Sequence, residues 1–213
     1  MLSPQGTNAD SADFGAVLRH AEAYLAGADT ALAAVLNRLG PLPAADYQGE
    51  PFAALLRAVI GQQLSNRAAA SIAARLFALT AMPATPHAVL MLSEADLRGC
   101  GLSAAKTRSV LGLARAIGEG AIDLAALADA DDLAVNAALT VLPGIGPWTV
   151  HMFLMFGLGR LDVFAPGDLG LRRAVQRLED WPELPTPAAC LARAERWRPY
   201  RTVAAWQLWR WLT

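Results

Sequence analysis

Cysteine is scarce in this chain: 213 residues hold two, Cys100 and Cys190. Two thiols are too few to build a zinc or iron–sulfur site, and no export signal accompanies them, so both read as free thiols. Lysine is scarcer still, with Lys106 alone among 18 lysines and arginines. β-Branched residues are sparse beside Ala and Leu, which argues against a sheet-built fold. Met1 to Gly6 offers neither the basic nor the apolar region of a secretory leader. Apolar runs such as Val150 to Leu158 fall far short of the roughly 20 residues that cross a bilayer. The expectation is a soluble cytoplasmic protein with no membrane partner. An excess of positive charge is missing too. The net charge is −1, which excludes gripping a polyanion by bulk charge alone.

What is present is core-forming material. Hydrophobic residues make up 54% and charged residues 17%. That suffices for one large domain or two small ones sharing a core, and leaves too little charge for disorder. The near-neutral sum hides a pattern: residues 51–120 carry a net +4 and residues 151–213 a net +3, set between acidic stretches. A folded chain can therefore show one positive face, although the same numbers fit ordinary solvated charge.

Almost every segment reads as helix. After a polar tail over 1–10, apolar residues recur at helical spacing from Ala12 to Ala26 and from Thr30 to Leu39, where Gly40-Pro41-Leu42-Pro43 stops the second run. Pro51 suits a first helical position and leads a stripe of Phe52, Leu55, Leu56, Val59 and Ile60. Gly61-Gln62-Gln63-Leu64-Ser65 interrupts that helix, and Ser65 is placed to cap the next, Asn66 to Leu79. Further helices are expected from Pro86 to Leu92, from Ser93, from Ala104 to Ile117 behind Ser103, and from Asp131 or Asp132 to about Thr140. Others should run from Pro147 through Phe156, Leu169 to Leu178, Thr186 to Trp197 and Thr202 to Trp211. No alternating strand pattern and no fixed repeat is found. The expected fold class is all-α and two-lobed. The expected divisions are a flexible tail (1–10), N-terminal helices that pack with the C-terminal ones (11–50), a central helical lobe (51–160) and a C-terminal segment (161–213).

The most informative local stretch is Leu142-Pro143-Gly144-Ile145-Gly146-Pro147-Trp148-Thr149. It reads as a tight turn joining two helices over 131–156. Glycine permits positive φ and lets another molecule's backbone approach. The helix after the turn begins with N–H groups that suit a phosphate oxygen, and Thr149 adds a hydroxyl. Such a grip needs no lysine, which accommodates the near-zero charge. A plain helix–helix corner would look similar.

The stretch that follows, Asp162-Val163-Phe164-Ala165-Pro166-Gly167-Asp168-Leu169-Gly170-Leu171, completes a resemblance. Together the two resemble the helix-hairpin-helix, Gly/Pro-Asp superfamily of DNA glycosylases, and most nearly its 3-methyladenine glycosylase II, or alkylbase glycosylase, family. Leu56 to Ser65 resembles the family's DNA-penetrating loop, and Ala194 to Trp209 its C-terminal helices. The likeness covers roughly residues 50–213.

The resemblance implies a fold, an activity and a set of residues. The fold is the all-α glycosylase fold without the mixed α/β domain that larger members carry in front. The activity is excision of alkylated bases such as 3-methyladenine and 7-methylguanine from duplex DNA in base excision repair. The expected state is a monomer working at the nucleoid. In the family an aspartate 20 residues past the hairpin tryptophan is catalytic, and Asp168 stands 20 past Trp148. Trp148, Trp209 and Met152 match base-pocket positions, Met152 replacing an aromatic residue. Tyr200 stands where relatives hold Trp, and Trp206 and Trp211 are expected in the core. Gln62, Gln63 and Leu64 supply the wedge, with the choice between Gln63 and Leu64 open. Leu142, Gly144, Ile145, Gly146 and Thr149 face the DNA backbone. Carbonyls of Thr140, Leu142 and Ile145 are candidates for a monovalent cation, Na+ or K+. Bifunctional members carry lysine where Trp148 stands, so no lyase step is expected. One cysteine after Asp168 leaves no iron–sulfur cluster, and no cofactor is required.

The residues allow a mechanism. Breaking an N-glycosidic bond builds positive charge on the sugar, which a carboxylate stabilises. A ring-alkylated base is already cationic, so one carboxylate suffices, and aromatic faces favour such a base. Asp168 also falls where the N-cap of the helix from Leu169 belongs, and one carboxylate can do both. Asp162 reads better as a cap or surface charge. Arg172, Arg173, Arg196, Arg198 and Arg201 suit either phosphate contacts or a solvated face. Two other readings stay open: the same enzyme acting on ethenoadenine, deaminated or N1/N3-methylated bases, and a helix-hairpin-helix DNA-binding module without chemistry.

Overall fold

Short polar side chains set most of the helix starts. In the computed structural model, described over residues 7–43, 50–80 and 83–212, Asp29, Thr85, Ser93, Ser103, Asp123, Asp131, Asp168 and Thr186 each accept a hydrogen bond from a first-turn backbone N–H. Those bonds satisfy donors that have no intrahelical partner. The helices are α1 (Thr7–Ala28), α2 (Thr30–Leu39), α3 (Pro51–Gly61), α4 (Asn66–Thr80), α5 (Pro86–Leu90), α6 (Glu94–Gly99) and α7 (Ala104–Gly118). They continue as α8 (Leu124–Asp129), α9 (Asp132–Thr140), α10 (Pro147–Phe156), α11 (Leu169–Leu178), α12 (Pro187–Ala194) and α13 (Arg201–Leu212). No strand occurs among the described residues, so the fold is all-α. None of the described helices is long and apolar enough to cross a membrane.

Three differences from expectation go beyond shifts of one or two residues at helix ends. The first helix begins at Thr7, because polar composition alone does not break a helix whose first turns contain neither Gly nor Pro; residues 1–6 lie outside the described part. α8 falls where no helix is expected: beyond its cap, Asp123, it is six residues long with Leu127 alone buried, too short to show a period. The helix expected to reach Trp197 tightens into a 3₁₀ turn over Glu195–Trp197, a common way for a last turn to end.

The helices form two compact units, Gly49–Leu158 in one and Met1–Gln48 with Gly159–Thr213 in the other. In the first, α3 is buried almost throughout, with Phe52, Leu55, Leu56, Val59 and Ile60 inside. It packs on α4, α7 and α10. In the second, α13 packs on α1, α2 and α11. Its core includes the fully buried Trp197 and Trp206. A charged cluster sits beside that core: Asp29 caps α2 and takes hydrogen bonds from the Trp197 indole at 2.8 Å and from Arg193 at 2.5 Å. Arg193 also reaches Glu179 at 2.6 Å.

Candidate functional site

Asp168 is held from two directions. It is the N-cap of α11, where its Oδ1 accepts the backbone N–H of Leu171 at 2.8 Å. The same oxygen accepts the indole N–H of Trp209, on α13, at 2.9 Å. The loop before it is pinned as well. Thr202, fully buried, donates its hydroxyl to the carbonyl of Arg160 and accepts the N–H of Val163. The carboxylate is thus fixed by α11 and α13 together.

Gly170 makes this arrangement possible. A Cβ there would lie 3.0 Å from Asp168 Oδ1 and 3.2–3.3 Å from two atoms of the Trp209 indole. Sequence reasoning gives Gly170 no role; the available signal is a glycine in a first helical turn, where it is unfavourable. Gly170→Ala should leave thermal unfolding unchanged or slightly raised. It should lower the activity of a site built on this carboxylate on the order of tenfold, because the indole and carboxylate must part. Parallel melting curves and single-turnover assays check both.

The other chemistry-bearing stretch lies in the unit Gly49–Leu158. α9 and α10 are joined by a turn in which Gly144 has φ +83°. A Cβ at Gly144 would meet the Ser109 hydroxyl of α7 at 2.0 Å. Gly144→Ala should therefore cost on the order of 1–3 kcal/mol, through the left-handed φ and the clash together. A fall in unfolding temperature measures it. Gly146 differs: its φ of −112° suits any residue, and a Cβ there meets nothing within 4 Å. α10 starts at Pro147 with no side-chain cap.

The structure sorts the remaining candidates. Thr149 is 1% exposed and its hydroxyl accepts Gln62 Nε2 at 2.9 Å, so it faces inward rather than toward a phosphate. Ile145 is buried, its N–H given to the Leu142 carbonyl. The Thr140 hydroxyl turns back to the Asn136 carbonyl. Gln62 is bound to the hairpin, donating also to the Gly144 carbonyl at 2.8 Å. That commitment takes it out of a wedge. Gln63, with φ +55°, and Leu64, 40% exposed, project from the same loop. Trp148 is half-buried, its Cη2 3.7 Å from where a Cβ of Gly61 would sit. Met152 is buried on α10, and Trp209 is half-buried.

Most of the arginines are occupied. Arg201 holds the Asp162 carboxylate and carbonyl at 2.7 Å each and also reaches Glu195. Arg198 pairs with Asp162 and Glu195. Asp162 is therefore a structural ion-pair acceptor. Arg172 donates to the Pro185 carbonyl, while Arg173 and Arg196 are exposed. Trp206 is core, but Trp211, expected there too, is half-buried under Arg177, 4.2 Å away. Tyr200 meets His20 and Tyr24 edge-on. Cys100 and Cys190 are buried free thiols, and burial raises the pKa of both. No group of three metal-ligating side chains occurs among the described residues.

Residues 56–199 match the model of the HhH-GPD superfamily of base excision DNA repair proteins. The chain belongs to this superfamily. This HhH-GPD protein is 36% identical over 164 residues to DNA-3-methyladenine glycosylase 1 of Schizosaccharomyces pombe, spanning 76% of this chain and 72% of that one. It is also 36% identical to the putative DNA-3-methyladenine glycosylase YfjP of Bacillus subtilis, covering 59% of this chain but 44% of that protein. Among solved structures it resembles S. pombe Mag1 in complex with abasic DNA, with a TM-score of 0.80 and 32% identity, covering 90% of this chain and 95% of that one.

Proposed function

We infer that this protein is a monofunctional DNA glycosylase of base excision repair that releases alkylated bases, 3-methyladenine and 7-methylguanine among them, from duplex DNA. The observation that carries the reading is the carboxylate of Asp168, oriented by the Leu171 N–H and the Trp209 indole. The name of the S. pombe relative supports the substrate class.

A base stacked in a duplex is out of reach, so its nucleotide must swing out, at a few kcal/mol of lost stacking. Gln63 and Leu64 are the side chains assigned to fill the gap, as inserted wedges do elsewhere. The strand beside it is gripped at the start of α10. The bare Gly146 permits close approach there, and the first N–H groups of the helix favour a phosphate oxygen. Asp168 then stabilises positive charge on the deoxyribose as the base leaves, and orients the attacking water. An alkylated base leaves with its own positive charge neutralised, so no second acid is needed. Trp209, whose indole N–H holds Asp168, offers an electron-rich face to such a base.

The reading also includes a monovalent cation on the carbonyls of Thr140, Leu142 and Ile145, the second of which already accepts the Ile145 N–H. Of the three residues only Thr140 belongs to α9, where a terminal carbonyl can serve a ligand, and its hydroxyl is turned away to Asn136. An ion there would supply positive charge beside a phosphate. We place the enzyme at DNA in the cytoplasm as a monomer, since one everted base is a single asymmetric target.

Chromatography of bases released from methylated duplex DNA tests the assignment. The expected products are 3-methyladenine and 7-methylguanine, with no borohydride-trapped adduct on abasic DNA, because Trp148 provides no amine and Lys106 is bound by two carbonyls. Release confined to ethenoadenine, uracil or N1/N3-methylated substrates would move the enzyme to another lesion class. Tight binding without release from any lesion would make it a binding module, and a trapped adduct would make it a lyase.

A further inference from the structure

Among the 18 lysines and arginines of this chain, Lys106 is the one lysine. It lies on α7, far in sequence from the hairpin and from the 61–65 loop, yet it is built into both. Its Nζ donates to the carbonyls of Ile60 and Gln62, each at 2.7 Å. Those carbonyls close the C-terminal end of α3, where carbonyls lack helical partners and a positive charge is favoured. The compact ammonium can converge on two neighbouring oxygens, which a planar guanidinium fork does less well.

The residue that Lys106 holds by its carbonyl is the one that ties the loop to the hairpin. Gln62 Nε2 donates to the Gly144 carbonyl and to Thr149 Oγ1, at 2.8 and 2.9 Å. One turn along α7 from Lys106, Ser109 packs against Gly144 so closely that a Cβ there would overlap its hydroxyl. One face of α7 therefore fixes the loop and the hairpin turn together. Gln63 leaves this clasp at φ +55° and Leu64 follows it into solvent.

We propose that Lys106 is a positioning residue for base eversion: through Gln62 it locks the 61–65 loop to the hairpin, so that Gln63 and Leu64 enter the duplex at a fixed distance from the gripped strand. The proposal rests on the reading of that loop as the wedge. Burial lowers the pKa of Lys106, in keeping with an ammonium withdrawn from solvent into an internal clasp.

The test uses the full chain and a duplex with a tetrahydrofuran abasic analogue opposite 2-aminopurine, whose fluorescence rises when it is unstacked. All readings are taken at saturating protein, so that affinity does not enter. The wild type should raise the signal, and the double variant Gln63→Ala/Leu64→Ala should not. Lys106→Met and Gln62→Ala should each behave like the double variant. Single-turnover base release should fall on the order of 10- to 100-fold, the effect of a misplaced element on a positioned reaction. Lys106→Arg should restore part of both. A wild-type signal from Lys106→Met beside a lost signal from the double variant overturns the proposal and leaves the wedge in place. A wild-type signal from the double variant removes the wedge reading and this proposal with it. If circular dichroism shows Lys106→Met to be unfolded, Gln62→Ala decides between the outcomes, since it cuts the other half of the clasp.

Discussion

Asp168→Asn should slow base release by roughly two to three orders of magnitude, while the protein stays folded and still binds DNA. Two structural duties of this side chain survive the change. Asn is as good an N-cap as Asp, and its amide oxygen can still accept from Leu171 and Trp209 in the place of Oδ1. What is lost is the negative charge, and with it the stabilisation of a cationic sugar. Removing one such preorganised electrostatic partner lowers turnover by roughly 10²–10³-fold. The measurement is single-turnover release of 7-methylguanine from methylated duplex, beside a binding titration and a melting curve. Release at the wild-type rate would show that Asp168 only caps α11. An Asp168→Ala variant separates the duties further: it should lose the cap as well, at about 1 kcal/mol of stability.

That pairing of a cap with a reactive group explains why the site is partly legible in the sequence. Caps, prolines and glycines act locally, so Ser103, Asp131, Pro147 and Gly40 mark helix ends that the structure confirms. The Trp148-to-Asp168 spacing belongs to one continuous segment and can be read directly. Contacts between distant segments leave no such trace. In the sequence Gln62 belongs to the wedge loop with Gln63 and Leu64, and only its bonds to Gly144 and Thr149, more than 80 positions away, show it to be an anchor. Lys106 carries no local signal beyond its distance from the hairpin. Thr149 stands at a helix start, where a hydroxyl commonly faces out, yet it is the acceptor for Gln62 and lies inside. Asp162 reads as a cap or surface charge and Arg201 as a phosphate contact or a solvated charge, and their pairing depends on a loop meeting a helix 39 residues later.

Arg193→Met should strongly destabilise the unit formed by Met1–Gln48 and Gly159–Thr213. The guanidinium joins Asp29 and Glu179, and its carbon lies 4.9 Å from the Trp197 ring centre. Arg193 and Asp29 have side chains only 7% and 4% exposed. Removing one member of a buried pair strands the other, at about 3–5 kcal/mol, or roughly 10 °C in unfolding temperature for a chain of this size. The pH dependence identifies the cause. Burial alone would raise the Asp29 pKa, but the Leu32 N–H, the Trp197 indole and Arg193 outweigh it and hold the carboxyl below its ordinary value. A depressed folded pKa contributes stability above the carboxylate range that is lost as pH falls through the folded value. Without Arg193 burial gains weight, the folded carboxyl titrates higher, and its charge becomes a liability at neutral pH. The stability gap between variant and wild type should therefore be widest near neutrality and narrow on acidification through the carboxylate range, as melting curves across pH would record. A gap that stays constant with pH would assign the loss to packing on Trp197 instead. Replacing Asp29, Glu179 and Arg193 together by apolar residues of similar volume should cost less than Arg193→Met, because no charge is then left buried alone.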